Sequence, residues 1–201
     1  GSGYRLNDSA TITAASDSRG VTISTLTPGQ IWRQGGDSVI MALSIYCAPS
    51  SDTLISCTVT VNGLLPASDV AAMRLRKDTN RNGSYEAGID TAIVATLTNM
   101  GSLWGAGSDI LPLNYALTGA DSYLITVDLT DTAALTDSIT SVVLDTFGVS
   151  RTLAGWGPLS SQIQAGTWTV WDTGVANNPP VANAGSDSTG VTGSVYVLNG
   201  A

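Results

Sequence analysis

The residues with the clearest chemical meaning run from Asp78 to Asp90, reading Asp-Thr-Asn-Arg-Asn-Gly-Ser-Tyr-Glu-Ala-Gly-Ile-Asp. Side chains ending in oxygen recur at alternate positions, Asp78, Asn80 and Asn82, and Gly83 follows where a loop wrapped around an ion must turn sharply. Carboxylate and carboxamide oxygens at that spacing suit a hard cation, and Ca²⁺ is the expected one. In an EF-hand-type reading, Asp78, Asn80 and Asn82 supply the first three side chains and Ser84 offers its carbonyl. Glu86 then stands where a ligand is often bridged by water. The closing position holds Ile89 in place of a bidentate glutamate, and Asp90, one residue late, is the sixth candidate ligand. With so few carboxylates, affinity is expected on the order of 10⁻⁴ to 10⁻³ M, as in extracellular modules. The competing reading is an Asx-rich hairpin loop that turns without metal.

Little else in the chain offers chemistry. There is no histidine, Lys77 is the single lysine, Glu86 the single glutamate, and no nucleophile has a base nearby in sequence. Trp104, Trp156, Trp168 and Trp171, with Tyr115 and Tyr123, are candidates for a sugar-stacking platform, Trp104 and Trp156 because they sit in Gly-rich stretches. Trp168, beside Val170, reads instead as core packing. Asp109, Asp121, Asp128, Asp131, Asp137 and Asp145 are candidates for the paired carboxylates of glycoside hydrolysis. They fall in turns or on outward strand phases and read as solvated acids. No catalytic constellation stands out, so the chain is read as no enzyme and its metal as structural.

The elements that must position this loop are strands. Of 201 residues only 12% are charged, the rest being rich in Thr, Ser, Gly, Val, Ala and Leu, a mix that suits strands and turns better than exposed helices. The formal net charge of −8 disfavours nucleic acid and anionic membranes and favours cations. No window reaches the roughly 18 apolar residues of a membrane helix. Period-2 alternation marks strands at 11–14, 21–24, 39–47, 54–61, 71–77, 92–98, 123–129, 139–144 and 167–171. Turn signals separate them, among them Pro28-Gly29, Gly35-Gly36, Asn62-Gly63 and Gly119. The expected fold is all-β, an antiparallel Ig-like β-sandwich with a calcium-type loop and an extended C-terminal tail.

Cys47 and Cys57 are the only cysteines. Both fall on the apolar phase of their strands, Cys47 after Val39, Met41, Leu43 and Ile45, and Cys57 before Val59 and Val61. Across a hairpin-length gap they either form a disulfide, worth roughly 2–3 kcal/mol by loop entropy, or remain two buried thiols. The calcium-type loop and this composition together suggest an extracellular or cell-surface location. Gly1-Ser2-Gly3 reads as an expression remnant or a processed terminus. Residues 1–172 are expected to form one module and 173–180, with Pro179-Pro180, a linker. Residues 181–201 are too few to bury a core of their own.

Two family resemblances follow from these segments. Asn178-Pro-Pro-Val-Ala-Asn-Ala-Gly-Ser-Asp187, followed by Gly193-Ser-Val-Tyr-Val-Leu-Asn-Gly-Ala201, resembles the opening of a PKD (polycystic kidney disease) domain, without that family's later strands. Residues 70–90 with their flanking strands, and more loosely 9–172, look like an Ig-like calcium-loop module of bacterial secreted proteins. The resemblances imply a non-enzymatic structural or adhesive module of a microbial surface or secreted protein. Its partners would be neighbouring domains or identical subunits, and surface glycans. One alternative is a self-assembling fibre subunit whose Val195, Tyr196, Val197 and Leu198 complete the sheet of the next copy. The other is a carbohydrate-binding module of a secreted hydrolase, using Trp104 and Trp156.

Overall fold

The computed structural model describes residues 18–106, 115–149 and 162–172. Trp156, Asp109, the linker, the PKD-like segment and the candidate donor residues Val195, Tyr196, Val197 and Leu198 lie outside the described residues. The strands are β1 (Ser18–Ser24), β2 (Gln30–Arg33), β3 (Ser38–Gly63), β4 (Val70–Asp78), β5 (Ile93–Met100), β6 (Leu103–Ala106), β7 (Tyr115–Leu129), β8 (Ser138–Val149) and β9 (Gln162–Asp172). A 3-10 turn at Ala67–Asp69 leads into β4. No described helix is long and apolar enough to cross a membrane.

The expected all-β composition holds, but the Ig-like sandwich does not. Strands β3, β6, β5, β4, β7, β2, β9 and β8 are hydrogen-bonded neighbours in that order, and β8 returns to pair with β3. The eight strands therefore close into a barrel, with β1 added to the first half of β3 and a direct β3–β7 pairing across it. The reason lies in β3. The alternation at 39–47 and 54–61 predicts two strands and a turn; instead one strand of 26 residues runs through. Its first half pairs with β1 and β7, and its second half with β6 and β8. At the junction the register shifts between Cys47↔Gly119 and Asp52↔Leu117. A strand that changes neighbours across such an irregularity joins two sheets that a sandwich would keep apart.

This continuity also removes the predicted disulfide. Cys47 pairs with Gly119 of β7, whereas Cys57 sits further along the same strand opposite Ala106 of β6 and Phe147 of β8. A disulfide needs Cα atoms within about 7 Å, which residues ten apart along a strand rising roughly 3.3 Å per residue do not offer. Cys57 is a free, buried thiol.

Where alternation is clean, it places side chains as expected: Met41, Leu43, Ile45, Cys57, Val59, Met73, Leu75, Val142 and Leu144 are buried in the core. Strand β7 breaks the pattern. Tyr123, Leu124, Ile125, Thr126 and Val127 are all buried, so both faces of β7 are covered. On the outer face Leu124 stands beside Ala42 and Arg76, and Thr126 beside Arg74. Loop 79–92, between β4 and β5, lies over this face. A Cβ added at Gly83 would meet that of Ala42 at 3.9 Å, and Tyr85 packs on Arg76.

Candidate cation loop at residues 78–90

Asp78 ends β4 and is buried at 3% exposure. Its Oδ1 accepts the Asn82 N–H at 3.2 Å and its Oδ2 the Gly83 N–H at 2.9 Å. Gly83 adopts φ +75° and Arg81 φ +58°, so the sharp turn expected at Gly83 is present. Asn82 then accepts the Ser84 N–H at 2.8 Å on its own Oδ1. The carboxamide nitrogens of Asn80 and Asn82 both donate to the Glu86 carboxylate. Five of the six predicted residues, Asp78, Asn80, Asn82, Ser84 and Glu86, thus belong to one hydrogen-bonded turn.

Asp90 has a different place. Fully buried, it accepts the Thr79 N–H on Oδ1 at 2.8 Å and the Glu86 N–H on Oδ2 at 3.0 Å. Its own N–H donates to the Glu86 carbonyl at 2.8 Å. Burial works to raise its pKa, yet the backbone and side-chain hydrogen bonds from Thr79 and Glu86 together outweigh it and hold the carboxyl below its ordinary value. Asp90 closes the loop from beneath, pinning its first and middle residues to the start of β5.

The donor set agrees in kind with a hard cation: two carboxylates and two carboxamides, with no soft ligand. Among the described residues no three His, Cys, Asp or Glu side chains are gathered as a metal cluster. The amide nitrogens of Asn80 and Asn82 face Glu86, so an ion here would require both carboxamides to rotate and present oxygen.

The acids and bases that anchor the loop escaped the sequence reading. Asp37, in the turn before β3, accepts from Arg74 Nη1 at 2.7 Å and Thr126 Oγ1 at 2.9 Å on Oδ1, and from Arg76 Nη2 on Oδ2. Arg74 also reaches Asp128 at 3.5 Å. Arg76 donates to the Asp90 carbonyl at 3.4 Å and lies 4.8 Å from the centre of the Tyr85 ring. One signal was available: Arg74 and Arg76 alternate with the core residues Met73 and Leu75, and two cations on one covered face demand a carboxylate. On the loop's other flank, Asp121 pairs with Lys77 at 3.0 Å and with Arg81 at 3.2 Å. Asp121 and Asp128 are therefore ion-paired acids, not merely solvated ones.

The aromatic candidates divide. Trp104 and Trp168 are buried at 7% and 3% exposure, which takes Trp104 away from any sugar platform. Tyr115 and Tyr123 pack edge to face at 6.1 Å. Trp171 is 47% exposed and meets Trp32, a residue the sequence reading passed over, with centroids 6.1 Å apart at 60°.

The site and fold together define an all-β barrel domain with an Asx-rich loop locked over its outer face. No protein-family model matches the chain, and no curated protein does. Among solved structures, one described as Hadza microbial sialidase Hz136 is similar over 75% of this chain, at 12% identity and a TM-score of 0.48. The matched region spans 30% of that chain, and the sialidase name is said of that protein.

Proposed function

We propose that the chain is a non-enzymatic structural and adhesive module of a secreted or cell-surface protein, in which calcium reinforces loop 78–90. The observation that carries this reading is that Asp78, Asn80, Asn82 and Glu86 are drawn together in one hydrogen-bonded turn. Asp78, Asn80, Asn82 and Glu86 would hold the ion, with Ser84 lending its carbonyl. A bound cation would offset the carboxylate charges of a loop that already covers the sheet. Asp90 and Arg76 keep the loop seated whether or not an ion is present, so calcium tightens an existing turn rather than creating one.

The test is thermal denaturation of wild type and Glu86→Gln in millimolar calcium and in chelator. The wild-type midpoint should rise with calcium and the variant's should not, because Glu86 contributes charge without holding any backbone N–H in the hydrogen bonds described. Identical wild-type midpoints in the two buffers would refute the calcium reading.

The fibre-subunit reading draws support from β1, which is the terminal strand in the described sheet order and pairs there with β3, a position at which strand addition would act. Removing residues 178–201 should then abolish any concentration-dependent assembly seen by light scattering. Assembly that survives the truncation removes this reading.

A further inference from the structure

A cleft of about 450 Å³ opens between β2, the turn that carries Asp37, and loop residues 83–85. That volume falls within the range of small-ligand sites, roughly 300–1,000 Å³. Two half-exposed aromatic rings line it, Trp32 from β2 and Tyr85 from the loop, and neither is loosely held. Trp32 is braced edge-on by Trp171, and Tyr85 is braced by the Arg76 guanidinium over its ring. Between them Gln30, Ser38 and Ser84 supply a carboxamide and two hydroxyls.

The charge of the cleft limits what it can take. Asp37 is its one ionisable acid, and both carboxylate oxygens are already occupied by Arg74, Arg76 and Thr126. A cationic or anionic ligand would find no uncompensated partner there. Rigid aromatic faces attract the positively polarised C–H groups of an apolar surface, while amide and hydroxyl groups exchange hydrogen bonds with neutral hydroxyls. Neutral sugars carry both features on one ring. We propose that the Trp32–Tyr85 cleft is a binding site for a neutral saccharide. Trp32 and Tyr85 are its stacking surfaces, and Gln30, Ser38 and Ser84 its hydrogen-bonding groups.

This proposal deepens the adhesive-module reading and rests on it only for the loop that carries Ser84 and Tyr85. The full chain is titrated with cellohexaose, xylohexaose, mannohexaose and maltohexaose, in millimolar calcium and in chelator, following tryptophan fluorescence and NMR shifts. At least one sugar should bind saturably. Tyr85→Ala should weaken that binding about tenfold, and Gln30→Ala, at an exposed position, about fivefold without changing the melting temperature. Trp171→Ala, which removes the brace behind Trp32 but no group lining the cleft, should weaken binding less than Tyr85→Ala does. No saturable binding to any of the four sugars overturns the proposal, as does binding that Gln30→Ala and Tyr85→Ala leave unchanged. Saturable binding of a neutral Ser/Thr-rich peptide in place of the sugars overturns it in favour of a protein ligand. Sugar binding without any calcium response would sink the cation reading alone, and a calcium response without sugar binding would sink the cleft alone.

Discussion

Arg76 lies with its guanidinium carbon 4.8 Å from the centre of the Tyr85 ring while its Nη2 grips the Asp37 carboxylate. One strand residue thereby ties the turn before β3 to the loop after β4. Its Nε finds no hydrogen-bond partner among the described residues, so its charge is balanced by Asp37, by the ring face and by the Asp90 carbonyl. The cover over the outer face of β7 depends on this junction.

Removing Asp37 should therefore be costly. Asp37→Ala leaves the buried Arg76 without its carboxylate and Arg74 with Asp128 alone, and breaking a buried pair from one side costs about 3–5 kcal/mol. Urea denaturation should show a lower midpoint with an unchanged slope. A loss under about 1 kcal/mol would mean the loop is held elsewhere.

Asp90 gives the loop a defined pH response. Its folded carboxyl is held below the ordinary value of 3.8, so the unfolded chain binds the proton more readily. The stability it contributes is complete above the ordinary carboxylate range and is lost as pH falls through the lower, folded value. Asp90→Asn leaves one of two backbone donors without an acceptor, and at neutral pH should cost about 1–3 kcal/mol. It should also flatten the stability–pH slope below about pH 4, measured by denaturant titration at a series of acidic pH values.

Asp78 and Glu86 should separate the structural part of the loop from the cation-dependent part. Asp78→Ala removes the acceptor of two loop N–H groups and should destabilise in chelator as well as in calcium, by about 1–3 kcal/mol. From sequence alone the same substitution is expected to matter only when calcium is present. Glu86→Gln should act only in calcium. Melting curves of both variants in both buffers check the contrast.

The Cys57 thiol is pushed up to about 12 by burial, which suppresses its reactive thiolate. In a Cys47→Ala background a thiol reagent at pH 8 should label Cys57 only at the rate of unfolding. Rapid labelling of the native protein would show that the barrel opens locally around β3, β6 and β8.

Gly63 occupies φ +146° at the end of β3, where an added Cβ would fall 2.1 Å from the Ser138 carbonyl oxygen. That oxygen accepts the N–H groups of Leu64 and Leu65, at 2.8 and 3.1 Å. Gly63→Ala should cost about 1–3 kcal/mol or more by overpacking this junction. Gly29→Ala, where no atom lies within 4 Å, should change stability by less than about 0.5 kcal/mol. Parallel thermal melts compare the two.

Read along the chain, the alternating residues assigned Met41, Leu43 and Ile45, then Cys57 and Val59, to the core, because a strand's side-chain period is local and exact in its phase. The loop at 78–90 was legible for a similar reason: an Asx-rich run with a glycine at the turn encodes its own hydrogen bonds. What the tertiary structure alone decided was pairing. The gap between the alternating runs 39–47 and 54–61 reads as a turn, yet β3 continues through it, because β1 and β7 pair with its first half and β6 and β8 with its second. That choice closed the barrel in place of an Ig-like sandwich and left Cys57 unbridged. Thr126, Arg76 and Asp37 look like solvent-facing polar residues until a distant loop covers them, after which each must be hydrogen-bonded or ion-paired. Local sequence sets the face a side chain takes; only long-range contacts decide whether that face meets water.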